Sequence, residues 1–255
     1  MVRTHLLHGA LRSAIKVLFA LCLTVGAQWV AAAELAAHVT HLAGTLVLKP
    51  VQGNTRLLAV RSEVHEGDTL QTEDRSYARI KFVDGGEMVI KPNTTVMIER
   101  YRYKANSPAE DSSAVSLIKG GLRSVSGMLG KRSPEKVILK TKVATIGIRG
   151  THYGVLDCAE EEGRNSCADI RTADGSTPPP GVHVDVVDGR IRVTNTAGEQ
   201  EFEAGQFGYV RDAASAPEAV PAERGVRVSM PDSICRNNTS GNTVGTSRNT
   251  AACSM

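Results

Sequence analysis

The feature that most constrains this chain is a repeated alternation of apolar and polar residues in short runs that end at glycine. In SYARIKFVDGGEMVI (76–90), Ala78, Ile80 and Phe82 alternate with Arg79 and Lys81, then Asp84, Gly85 and Gly86 intervene, and Met88 and Ile90 resume the pattern. A period of two belongs to a strand with one dry and one wet face, and an Asp-Gly word between two such runs reverses the chain, so a hairpin is expected here. The same grammar fills VHVDVVDGRIRVTNTAGEQEFEAGQFGYV (182–210). There Val182, Val184 and Val186 alternate with His183 and Asp185, which places His183 and Asp185 on a solvated face. Asp188 and Gly189 are expected to turn the chain, Ile191 and Val193 to form the next strand, and Thr196 to Gly198 to turn it again. In EGDTLQT and EAGQFGYV, Gly67 (followed by Asp68) and Gly205 stand where a strand must bend, in conformations unfavourable to residues with a Cβ. KVILKTKVAT (136–145) reads as one strand continuing into IGIRGTHYGV (146–155), with Gly147, Gly150 and Gly154 at bending or close-packing positions.

Aromatic residues are only 4% of the chain and there are 24 glycines, which suits turns and strands. At most one short helix is expected, and KANSPAEDSSAV (104–115) reads as a mobile loop. The fold class is therefore all-β, either a sandwich of jelly-roll type or a β-solenoid of short strands and hairpins. Periodicity does not separate these two.

Residues 1–33 carry Arg3, Arg12 and Lys16, then an uncharged run from Val17, then Ala31, Ala32 and Ala33. A basic region, an apolar core and a small-residue exit make a secretory signal peptide, cleaved between Ala33 and Glu34. The expected product is exported to the periplasm. Its charge account changes too: the full chain has 30 Lys and Arg against 27 Asp and Glu, and losing three cations leaves 27 against 27. The mature chain is neutral, which removes the case for a nucleic-acid partner. From Glu34 to Asp212 the strand grammar forms one β domain, interrupted by an irregular insertion at 157–181 that ends in Pro178, Pro179 and Pro180. Residues 213–255 read as a polar tail with little apolar material for a core.

Cys158, Cys167, Cys235 and Cys253 remain after cleavage, and four cysteines in an exported chain suggest two disulfides with three possible connectivities. Pairing Cys158 with Cys167 and Cys235 with Cys253 is favoured, because each pair brackets one turn-rich segment. None of the spacings is that of a zinc site.

Candidate chemistry is sparse. There is no G-x-S-x-G, no phosphate-cradling glycine loop and no H-E-x-x-H, so the sequence points away from an enzyme and calls for no cofactor. His183 and Asp185 have the H-x-D spacing of facial-triad metal sites, but no histidine comes after them, and His152 would have to converge from upstream. Arg149 is expected buried or half-buried with a carboxylate or carbonyl partner; an anion-binding role is the alternative. Between Ile118 and Gly150, eight cations meet only Glu135. Within that run, Lys136, Lys140, Lys142 and Arg149 are candidates to bind an anionic ligand, and a solvated strand face is the plain alternative.

Taken in order, AGTLVLKP, EGDTLQT, SYARIKFVDGGEMVIKPNTTVMI, LIKGGLRSVSG, VATIGIRGTHYGV, VDVVDGRIRV and EAGQFGYV resemble the FecR-like domain family over about residues 43–212. Gly67 and Asp68, Asp84 and Gly85, and Gly150 and Thr151 carry its most specific words. The resemblance implies a periplasmic β framework in which the RGT word is structural. In the regulators that name the family, the domain relays a signal to a sigma factor through a membrane span and a cytoplasmic piece, neither of which is expected here. The chain is therefore expected to be an exported, non-enzymatic binding module of envelope signalling or assembly. Its expected partner is an envelope protein, with peptidoglycan or another anionic glycan as the alternative.

Overall fold

The computed structural model describes residues 33–161 and 163–231. Its strands are β1 (Leu35–Ala43), β2 (Leu46–Lys49), β3 (Arg56–Leu57), β4 (Glu63–His65), β5 (Thr69–Thr72), β6 (Tyr77–Phe82), β7 (Glu87–Ile90), β8 (Thr95–Arg102) and β9 (Ser112–Val125). A short helix, α1 (Met128–Arg132), precedes β10 (Val137–Lys140), β11 (Thr145–Cys158), β12 (Glu160–Glu161), β13 (Arg164–Asn165), β14 (Gly181–Asn195), β15 (Gly198–Glu203), β16 (Phe207–Val210) and β17 (Glu218–Val220). Among the described residues one mixed sheet takes in 15 strands, and β12 and β13 make a separate ribbon.

The sheet is folded into two leaves, because three long strands each serve both. One leaf runs β3, β2, β5, β8, the first half of β9, β10, the first half of β11, the second half of β14, and β15. The other runs β4, β1, β6, β7, the second half of β9, the second half of β11, the first half of β14, β16 and β17. Every pairing is antiparallel except β9 with β10. Leu46, Ile98, Leu117 and Ile146 from the first leaf and Ile80, Leu122, Val155 and Val184 from the second share one core. Phe82 of the second leaf stacks on Tyr101 of the first with ring centroids 4.8 Å apart.

β9 changes leaf at Gly120, whose φ of +84° is disfavoured for a residue with a Cβ, and an added Cβ would lie 2.3 Å from Thr94 Oγ1. β11 and β14 change leaf at Gly150 and Gly189, also at positive φ. Since Gly120 pairs with Asp157 while His152 pairs with Val125, the crossing of β9 lies at the opposite rim from that of β11 and β14.

Several expectations change. Asp188 and Gly189 do not end a strand, because β14 runs unbroken through them and Gly189 bends it from leaf to leaf. KVILKTKVAT does not continue into IGIRGTHYGV: Thr141 accepts from the Val143 and Ala144 amides, and the chain reverses so that β10 and β11 pair. The segment expected as a loop at 104–115 is tied down, since Asp111 is buried against Arg132 and β9 starts at Ser112. Residues after 212 are not all tail, because β17 extends the sheet and Val226 and Val228 are buried. Cys235 and Cys253 lie outside the described residues.

The hairpin expected at 76–90 forms as β6 and β7. Its Asp84 carboxylate accepts from the Gly86 and Leu129 amides, each at 2.9 Å, which anchors α1 to the turn. Gly67, Gly85 and Gly205 adopt positive φ. Asp68 accepts from the His65 amide, and the Thr151 hydroxyl donates to the Arg190 carbonyl at 2.7 Å.

Candidate functional site

Alternation along β14 sends Val182, Val184 and Val186 into the core and His183 and Asp185 to the opposite face of the second leaf. That face is not wet. Residues 163–180 and 224–230 lie over it, and His183 and Asp185 are each 2% exposed.

At its centre Arg123, from β9, reaches Asp185 across β11. The guanidinium donates to Asp185 Oδ2 at 2.5 Å and to the Val228 carbonyl at 2.7 Å, and lies 3.3 Å from His152 Nε2. Asp185 Oδ1 accepts from the Val228 amide at 3.3 Å. Arg123 and Asp185 thus hold both backbone groups of one residue in the covering segment. Gly154 of β11 makes room for this: a Cβ there would stand 2.2 Å from Asp185 Oδ1 and 2.6 Å from Val228 Cβ. Around the clamp, Val226, Val228 and Leu156 pack with the Cys158–Cys167 disulfide. Lys91 donates to the Ser229 carbonyl at 3.2 Å; burial, then the Arg123 charge, holds its ammonium below the usual lysine range.

The insertion is fastened through its three prolines, which lack an N–H but keep their carbonyls. Pro178 accepts from Asn165 Nδ2 at 2.6 Å, Pro179 from His183 Nε2 at 2.9 Å and Pro180 from the Tyr209 hydroxyl at 2.6 Å. Burial lowers the His183 pKa, partly offset by the Pro179 hydrogen bond. Beneath the disulfide loop lies a cleft of about 370 Å³ lined by Tyr77, Lys91, Lys119, Asp157 and Asp169.

The sequence-level candidates distribute unevenly over this structure. His183 and Asp185 sit on the face that alternation assigned, but it is covered rather than solvated. Asp185 is engaged by Arg123, and among the described residues no group of three His, Cys, Asp or Glu is disposed to hold a metal ion. The basic run does not form one patch. Arg123 is inside the clamp, Arg132 pairs with Asp111 and lies over Tyr103, Lys136 donates to the Pro108 and Ala109 carbonyls, and Lys140 meets Glu99. Lys142 is exposed. Arg149 is exposed rather than buried, at a groove of about 280 Å³ shared with Arg190, Arg192, Glu135 and Glu201. There Arg192 beside Glu201 holds its carboxyl below the usual range. The Arg123 clamp was not foreseen. The sequence signal for it was Gly154 between Tyr153 and Val155, a missing side chain on the face where its neighbours' partners are large.

In this two-leaved β structure His183 and Asp185 are taken up in packing, while Lys142 and Arg149 remain at the surface. Residues 68–192, just under half of the chain, match the family model described as FecR protein. Domains of this kind are typically periplasmic and serve regulation in envelope signalling, and the family is not known for enzymes. Among the described residues no helix is long and apolar enough to cross a membrane. Two crystal structures of a candidate anti-sigma factor from Parabacteroides distasonis align at 13% identity with a TM-score of 0.43, covering 61% of this chain and 60% of that one. This chain therefore spans less than two thirds of that protein. A cell surface anchoring domain aligns at 26% identity with a TM-score of 0.24, over 24% of this chain and 82% of that one. No curated protein sequence matches the chain.

Proposed function

We propose that this chain is an exported, non-enzymatic FecR-type module that acts in envelope signalling or assembly by binding a protein partner. Residues 1–33 act as the cleaved leader and the remainder works in the periplasm. The observation that carries the choice of a protein over a polymer is the internal use of the basic run: Arg123, Arg132, Lys136 and Lys140 all meet acceptors of this chain. The groove at Arg149, Arg190 and Arg192 stays accessible, and it also carries Glu135 and Glu201. Mixed charge suits the rim of a protein interface, where it sets orientation, better than a uniformly anionic glycan.

The test is capture of envelope components by the mature chain, eluted with rising salt, alongside a pull-down on purified peptidoglycan. A single protein retained at high salt, unaffected by Lys136→Glu/Lys140→Glu/Lys142→Glu, is expected. Retention on peptidoglycan that is lost at modest salt and in that variant would replace this reading with the anionic-glycan one.

A further inference from the structure

Residues 225–231 cross the outer face of the second leaf without joining its hydrogen-bonded ladder. They are held instead by side chains. Arg123 and Asp185 read the carbonyl and amide of Val228, and such contacts are made to backbone, so they do not themselves specify the side chain at that position. Selectivity comes from the neighbouring apolar sites that bury Val226 and Val228, 2% and 1% exposed. Gly225 and Arg227 lie against Phe207, the guanidinium 5.6 Å from the ring centroid.

An Arg–Asp pair is a poor weld for a permanent core, since its desolvation offsets much of its attraction, and apolar replacements often stabilise more. It suits a surface that is alternately covered and wet. Arg123 and Asp185 stand on the outer face of a sheet, so departure of residues 225–231 would return both to water and leave every ladder pairing of the leaf in place.

We propose that this groove is a docking site for an extended segment of a partner protein with apolar residues at alternate positions, and that the chain's own residues 225–231 occupy it as a stand-in. The partner's strand displaces the resident segment and takes over its two backbone hydrogen bonds to Arg123 and Asp185. This extends the proposed function without depending on it, because the groove is defined by the clamp and not by the FecR assignment.

A tethered segment competes at an effective concentration of roughly millimolar, so a free peptide reaches the groove only once the tether is cut. The test inserts a protease site between Ala222 and Glu223 of the full chain, cleaves it in the folded protein, and adds a fluorescent peptide of residues 223–231. The expected result is peptide binding by cut but not uncut protein. Binding falls at least tenfold when the peptide carries Val226→Asp and Val228→Asp, or when the protein carries Asp185→Asn. A cut protein that stays folded and ignores the peptide overturns the proposal. So does one that unfolds and is not restored by the peptide, or one that binds both peptides equally. Uncut chain that elutes as a dimer by exchanging this segment between copies would assign the groove to a second copy and overturn a distinct partner.

Discussion

Replacing Asp185 with Asn keeps the shape of the side chain and removes its charge, leaving the Arg123 guanidinium desolvated with the Val228 carbonyl and His152 around it. Both ionic side chains are nearly inaccessible, at 5% and 3% for Arg123 and Asp185. Breaking one partner of such a pair costs about 3–5 kcal/mol, because the remaining charge stays buried. For a domain of this size that corresponds to a fall in Tm of roughly 6–20 °C. Removing both charges together, in Arg123→Met/Asp185→Asn, takes away the stranded cation and should recover part of the loss, so the cycle shows a coupling of about 0.5–3 kcal/mol. Urea unfolding of the wild type, the two single variants and the double variant measures all of this. If each single change costs under about 1 kcal/mol and the two costs simply add, the pair is hydrated in solution and the face above it is open.

Three further outcomes are expected from the same structure. Gly120→Ala should lose about 2–4 kcal/mol from positive-φ strain plus the clash with Thr94, whereas Gly205→Ala, with φ +85° and nothing within 4 Å, should lose about 1–2; equal losses in urea unfolding would contradict the packing role of Gly120. Cys158 and Cys167 close a loop with a separation of 9, which restricts the open chain by about 2.6 kcal/mol, so Cys158→Ala/Cys167→Ala should lower the stability measured by urea unfolding by that amount, and an unchanged midpoint would contradict the role of the bridge. Burial holds the His183 pKa below its ordinary value, so the unfolded chain takes up the proton first as pH falls. The contribution of His183 is complete above about pH 6.5 and is lost as pH drops through its lower folded pKa; His183→Gln should flatten that slope in melts between pH 5 and 8, and an unchanged slope would show the imidazole to be solvated.

The fold was legible wherever a run of alternation ended at a genuine reversal, as at Asp84 to Gly86. It was misread where the same Asp-Gly word sits inside a strand. Asp188 and Gly189 look like a hairpin turn because a positive φ serves equally for reversing a chain and for bending it between leaves, and only the pairing of Arg190 with both Arg149 and Glu203 tells the two apart. The covered face was hidden for a related reason. Period two shows that His183 and Asp185 oppose the core, but it carries no information about a third layer above them. That layer is built from residues 163–180 and 224–230, where Val226 and Val228 are the only two valines in a segment otherwise poor in apolar side chains. The disulfide between Cys158 and Cys167 was readable because its partners flank one short segment. The dispersal of the basic run was not, since the acceptors of Lys136 and Lys140 come from residues 28 and 41 positions away.

Because β9 passes between the leaves at one rim while β11 and β14 pass at the other, neither leaf can melt without pulling apart strands that its neighbour also needs. The molecule is in effect sewn along two opposite hems. Such a sheet should open as one cooperative unit, with hydrogen-exchange protection of equal depth in Leu117 and Leu122 on either side of the Gly120 crossing. A force applied by a bound partner at the edge strand β17 would then be felt at β3, at the far edge of the other leaf, with no hinge in between to absorb it.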